Sequence, residues 1–217
     1  MNPWIRWQDE ASEAEPAWRW LADWVGMPAL LATPARPLSE MGEPASHLSE
    51  ELRDKFVTVL GAERVKQDLA TRALHASSGT ADCLRVRTGD LSHLPDAVLY
   101  PKSPDDVQAL LKLCAAADVA VSPFGTGSGP GALPVRGTHA ALISLDLSAL
   151  SHVLLVDTMS GLARVEAGIT ADALARQLAA QGMMLKGQMD GSLGGAIDDL
   201  NSLRGKLDPR DRQLRGV

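Results

Sequence analysis

Positive charge is not in excess in this chain of 217 residues: 21 Lys and Arg stand against 27 Asp and Glu, a formal net charge of −6. No zinc-finger spacing, helix-turn-helix pattern or basic-aromatic stripe offsets that balance, so nucleic acid is not an expected partner. Cysteine is nearly absent. Cys83 and Cys114 supply at most one bridge and too few thiols for a cysteine-based zinc or iron–sulfur site, and a reducing compartment is the simpler reading. No run of 18 uncharged apolar residues exists, so no transmembrane segment is expected. The opening Met1-Asn2-Pro3-Trp4 has neither the basic nor the apolar region of a secretory signal, and a cytoplasmic location is the expectation. The histidines at 47, 75, 93, 139 and 152 are never paired at a metal-ligating spacing, and no metal site is expected. No Gly-x-Ser-x-Gly elbow marks a serine hydrolase.

Hydrophobic residues make up 45% of the chain, the content of a globular protein with one substantial core or two small ones. All the tryptophans fall early, at Trp4, Trp7, Trp18, Trp20 and Trp24. They form an arm packed on the body or a partner, or else a partly exposed amphipathic helix. Prolines and glycines between residues 26 and 47 read as connecting chain. Ser49 to Leu60 regains helical spacing through Leu52, Phe56 and Leu60, closed by Gly61.

Local structure is clearest from residue 95 onward. Ala97-Val98-Leu99-Tyr100 behind Pro95 predicts a strand. Ser103, Pro104, Asp105 and Asp106 form a helix start: a cap oxygen, a residue with no N–H to waste, and acids at the positive helix end. Val107, Leu110, Leu111 and Cys114 follow at i, i+3, i+4 and i+7, predicting one buried face and making Cys114 a core thiol rather than a nucleophile. Val119 to Phe124 is a second strand, so strand–helix–strand predicts a βαβ unit with parallel strands. Ala141 to Leu147, Val153 to Val156 and Ala163 to Ala167 supply further strands. Thr170 opens a helix through Leu174 and Leu178, with Gly182 as its C′ residue. His139 and His152 flank strands as turn residues, and Glu166 reads as a surface acid.

Between two of these strands lies Pro123-Phe124-Gly125-Thr126-Gly127-Ser128-Gly129-Pro130-Gly131. Such a loop either aims several N–H groups at a phosphate or is a plain surface turn. It lacks the Gly-Lys-Ser/Thr ending of a nucleotide-hydrolysing loop. It also fails the dinucleotide fingerprint, with Pro130 at the third glycine and no helix start at Leu133-Pro134-Val135, although Asp146 sits where a ribose-binding acid belongs.

Pro95-Asp96-Ala97-Val98, Tyr100-Pro101-Lys102-Ser103 and the Pro123-Phe124-Gly125 loop together resemble the FAD-binding domain of the FAD-linked oxidases. Ser144-Leu145-Asp146-Leu147, Val165-Glu166-Ala167-Gly168 and Ser192-Leu193-Gly194-Gly195 look like its next blocks, in order. Arg72, His75, Gly79, Leu84, Arg87, Gly89 and Asp90 look most like the alkyldihydroxyacetonephosphate synthase branch.

The resemblance implies an α+β, two-subdomain FAD-binding fold: a small parallel βαβ subdomain, then an incomplete, mainly antiparallel α+β subdomain. It divides the chain into a Trp-rich arm (1–45), a helical lead-in (46–94), the first subdomain (95–158), the start of the second (159–197) and a polar tail (198–217). It implies FAD as cofactor, with the diphosphate on Pro123, Phe124, Gly125, Thr126, Gly127, Ser128 and Gly129. Flavin-side contacts fall on Gly168, Ser192, Leu193, Gly194 and Gly195; no catalytic residue is assigned. Thr126, Pro130, Ala132 and Leu133 stand where the family has other small residues, and Pro130 removes one N–H, which predicts weak flavin retention. The family continues beyond the last matched block. The expectation is therefore a truncated portion of a flavoenzyme, with a complementary C-terminal subunit or a homo-oligomer as partner. The alternative is a non-catalytic scaffold or interaction module descended from that fold.

Overall fold

A computed structural model describes residues 38–76, 88–125 and 136–184, together with positions 20, 23, 24, 26 and 85. Helix α1 (Glu50–Leu60) begins where the Ser49 hydroxyl accepts the Leu52 N–H and ends at Gly61, whose φ of +89° turns the chain away. Leu52, Phe56 and Leu60, one per turn, are its buried residues. A 3-10 turn (Ala62–Arg64) leads into the short strand β1 (Val65–Lys66) and then α2 (Leu69–Leu74), capped by the Asp68 carboxylate. Strand β2 (Ala97–Leu99), helix α3 (Pro104–Ala116), β3 (Val119–Phe124) and β4 (Ala141–Asp146) follow. Ser103 caps α3 by accepting the Asp106 N–H, with Pro104 in the first turn, as its side-chain chemistry requires.

The four strands pair in the order β1-β2-β4-β3, with β2, β3 and β4 parallel and β1 antiparallel at the edge. The strand–helix–strand unit is thus present with parallel strands, but β4 lies between β2 and β3. Burial explains the arrangement: every residue of β4 is buried, as in a central parallel strand covered on both faces. Pro123, which cannot donate to a ladder on both sides, lies in β3 at the sheet edge.

Register divides the sheet into two unlike faces. Ala97, Leu99, Ile143 and Leu145 share one face and pack with Leu52, Phe56, Leu60, Leu110 and Cys114 of α1 and α3. Val98, Ser122, Ser144, Phe124 and Asp146 share the other. On α3 the buried seam runs through Leu110 and Cys114 with Val107 and Leu113 at its flanks, whereas Leu111 is 46% exposed. The i+4 expectation for Leu111 is therefore corrected. Centring the stripe on Leu110 rotates Leu111 about 100° away while bringing Leu113 in.

Burial pushes the Cys114 thiol up to about 11, so almost none is thiolate at pH 8. Alkylation of the native chain at that pH, mapped by peptide mass, is expected to spare Cys114 until urea unfolds it. Rapid native labelling of Cys114 would contradict its place in the core.

Strands β5 (Val153–Asp157) and β6 (Leu162–Val165) form a separate antiparallel pair with a bulge between Val153 and Leu155. Helix α4 (Ala171–Ala179), capped by Thr170, packs Leu174 and Leu178 onto Val165 and Ile169 of this unit. Its end is a Schellman closure. Gly182 at φ +71° donates to Ala179 O while Met183 donates to Leu178 O, which places Gly182 at C′. The described chain is therefore a mixed α+β fold with a βαβ element and an antiparallel element. Trp20 and Trp24 stack on each other at 6.1 Å and are both exposed; Trp4, Trp7 and Trp18 lie outside the described residues. No helix among the described residues is long and apolar enough to cross a membrane.

Candidate functional site

Three parallel strands bring their carboxyl ends to one edge of the sheet, the position at which open α/β sheets hold ligands. Tyr100 follows β2 directly, Phe124 ends β3 and leads into Gly125, and Asp146 ends β4 in register with Phe124. Leu147, the next residue, donates its N–H to the Phe124 carbonyl at 3.0 Å, so the β3 and β4 exits leave the sheet joined.

Beneath these exits lies His75, the C-cap of α2, with 1% of its surface exposed. Its Nε2 is 2.8 Å from Asp146 Oδ2 and its Nδ1 is 2.8 Å from the Thr71 carbonyl. The ring packs on Phe124 at 4.2 Å between centroids and edge-on to Tyr100 at 5.8 Å. Asp146 Oδ1 accepts the Ser148 N–H at 2.8 Å. Burial alone would raise the Asp146 carboxyl, but hydrogen bonds from His75 and Ser148 and the His75 charge together hold it below the ordinary carboxylate range. Burial, then the charges of Asp146 and Asp68, push the Tyr100 phenol up to about 12, so it stays protonated at neutral pH and is a hydrogen-bond donor.

A second buried polar cluster braces the amino end of β2. Asp96 accepts N–H groups from His47 at 2.7 Å and Leu142 at 2.8 Å, and its Oδ1 lies 3.1 Å from His47 Nδ1. Arg72, one turn before His75, donates to the carbonyls of Pro95 and Pro44. This cluster ties the segment before α1 to the sheet and is structural.

Of the residues implicated by sequence, Pro123, Phe124 and Gly125 lie at the β3 exit. Gly168 is drawn to the same place: a Cβ built on it would lie 1.6 Å from the Leu147 carbonyl oxygen, and its N–H donates to Leu150 O at 2.8 Å. Leu147 thus links Gly168 to Phe124 through backbone alone. Thr126, Gly127, Ser128, Gly129, Ser192, Leu193, Gly194 and Gly195 lie outside the described residues.

Asp146 turns inward to His75 and Ser148, so the spacing that matched a ribose-binding acid reflects a buried pair instead. Glu166 is only 14% exposed rather than a free surface acid. Its carboxylate accepts the His152 N–H at 2.9 Å and lies 2.7 Å from His152 Nδ1, closing the base of the β5–β6 hairpin. His139 pairs with Asp118 at the surface, a turn role.

The role of His75 and Tyr100 at this edge was missed by motif reading. Arg72, His75 and Tyr100 point to a site in the sequence only as part of a family resemblance, and nothing local in the sequence pairs His75 with Asp146, 71 positions later. Among the described residues no group of three or more His, Cys, Asp and Glu is placed to hold a metal ion.

The strand-end chemistry suits an anionic dinucleotide. Asp146 is turned inward onto His75 and Ser148 and Tyr100 is a neutral phenol, so among these residues no carboxylate is left without a hydrogen-bond partner to face a diphosphate.

Comparison with known proteins bears on the kind of domain. Residues 95–200 match a family model described as "FAD binding domain". The chain is 30% identical over 163 residues to an alkyldihydroxyacetonephosphate synthase of Trypanosoma brucei brucei, covering 71% of this chain and 26% of that protein. It is 29% identical over 156 residues to the enzyme of that name from Dictyostelium discoideum, covering 70% and 25%. A solved alkyldihydroxyacetonephosphate synthase superposes with a TM-score of 0.70 at 26% identity, over 78% of this chain and 33% of that one. The chain spans about a quarter of the length of the curated relatives it matches. It therefore carries an FAD-binding domain homologous to that of the alkyldihydroxyacetonephosphate synthases, at moderate identity over part of their length.

Proposed function

We propose that this chain binds FAD at the carboxyl ends of β2, β3 and β4, as the FAD-binding portion of a flavoenzyme. The enzyme would resemble alkyldihydroxyacetonephosphate synthase or an FAD-linked hydroxy-acid or alcohol oxidoreductase. The observation that carries the reading is the coincidence of the FAD-binding-domain match with the edge where Phe124, Gly125, Asp146 and Gly168 are tied together. In it, Gly125 and the residues up to Gly129 hold the diphosphate with backbone donors, and Gly168 and the 192–195 block lie toward the flavin. When bound, FAD supplies the electron-accepting ring for hydride or alkyl-transfer chemistry. This chain's residues supply binding and orientation. No catalytic residue is assigned in this chain, and a complementary C-terminal subunit or a second copy is the proposed partner.

Titration of the full chain with FAD tests the reading through the flavin's visible absorption band. Wild type is expected to perturb the band saturably and weakly. Gly127→Glu, which sets a carboxylate against the diphosphate, is expected to abolish the change. No saturable perturbation by wild type would overturn the assignment.

A further inference from the structure

A buried pair of ionisable groups is a poor device for stability alone, since well-packed apolar residues of similar volume do as well or better. The His75–Asp146 contact is such a pair, and its position is specific. It lies where three strands end, and every atom able to hydrogen bond is used. Nδ1 lies 2.8 Å from a carbonyl oxygen and Nε2 2.8 Å from a carboxylate oxygen, so both ring nitrogens are held by an oxygen partner. The remaining Asp146 oxygen takes the Ser148 N–H and fixes the turn after β4. One ring face bears on Phe124, whose carbonyl is bonded to Leu147 and whose chain continues into Gly125. Any shift of the imidazole therefore moves Phe124, and a shift of Asp146 moves the turn against which Gly168 packs.

We propose that His75 and Asp146 are positioning residues for the dinucleotide site, a buried clamp that locks the β3 and β4 exits in register so that Gly125 and Ser148 leave their strands in fixed directions toward the diphosphate. The inference rests on the FAD reading above. Neither side chain is assigned a contact with FAD. Their effect passes through Phe124, Leu147 and Ser148, and removing the clamp loosens the donors instead of deleting one.

The test uses the full chain and FAD, with binding read by flavin fluorescence anisotropy at a temperature where circular dichroism shows each variant folded. Asp146→Asn, His75→Ala and the double variant are compared with Leu111→Ala on the exposed side of α3. Each pair variant is expected to weaken FAD binding about tenfold or more. The double variant should be no weaker than the poorer single, because the two act as one unit, and Leu111→Ala should match wild type. Equal affinity in wild type and Asp146→Asn overturns the clamp while leaving the flavin reading intact. No binding by wild type overturns both. Should the pair variants not fold, nitrogen-15 spectra of the wild-type imidazoles decide: a His75 ring held in one state in the free chain and unchanged on FAD saturation supports the clamp, and a ring exchanging between states in the free chain overturns it.

Discussion

Gly168→Ala is expected to destabilise the chain by about 4 kcal/mol, lowering its melting temperature by about 10 °C. The added methyl would sit 1.6 Å from the Leu147 carbonyl oxygen, 2.4 Å from its carbon and 2.9 Å from the Leu150 oxygen. All three are backbone atoms, so no side-chain rotation makes room. Relief requires separating residues 147–150 from 168, which breaks the Gly168 N–H to Leu150 O bond and drags on the Leu147 bond to Phe124. Gly42, with nothing within 4 Å of the corresponding position, is the comparison: Gly42→Ala should stay within about 0.5 kcal/mol of wild type. Differential scanning fluorimetry of the two variants measures the contrast. Equal melting temperatures would show that the 147–168 approach is not as close as described.

Truncating one member of the His75–Asp146 pair carries the second large effect. Asp146→Ala leaves the buried imidazole Nε2 without its hydrogen-bond partner, and about 1–3 kcal/mol is the expected loss. His75→Ala strands the carboxylate, and the double variant should lose less than the sum of the singles. The sign of the pH dependence follows from the lowered carboxyl. Its contribution is complete above the ordinary value of 3.8 and is lost as pH falls through the lower native value. Urea unfolding of wild type and Asp146→Asn should therefore show a stability gap at neutral pH that narrows below pH 3.8. A gap that widened in acid would contradict a native carboxyl held below its unfolded value.

Much of the fold was legible because its signals are local. Ser49, Ser103 and Thr170 each cap the helix they precede, and Gly61 and Gly182 each take the positive φ that ends one. Strands β3, β4 and β5 coincide with their apolar runs to within a residue at either end. What was not legible depends on partners distant in sequence. The central place of β4 is fixed by pairing on both sides, although its unbroken burial and Pro123 in β3 were the available hints. The outward turn of Leu111 depends on where α1 lies against α3, which no single-helix period contains.

The site divides in the same way. The glycine-rich run after β3 is a composition signal; Gly125 lies at the strand exit, and residues 126–131 lie outside the described residues. Asp146 stands out in the sequence for its spacing alone, and its partner His75 is not legible there because it lies 71 residues earlier in the chain. Gly168 was implicated through family resemblance, and the structure adds a reason in packing: the carbonyl of Leu147 occupies the space a side chain would need.

On the proposed reading, a dinucleotide sits at the carboxyl ends of β2, β3 and β4. Backbone amide spectra of the full chain recorded along an FAD titration test it directly. The largest shifts are expected at Tyr100, Gly125, Leu147 and Ser148, with the β5–β6 tip near Met159 unmoved. Shifts confined to that tip, or none at saturating FAD, would contradict the account.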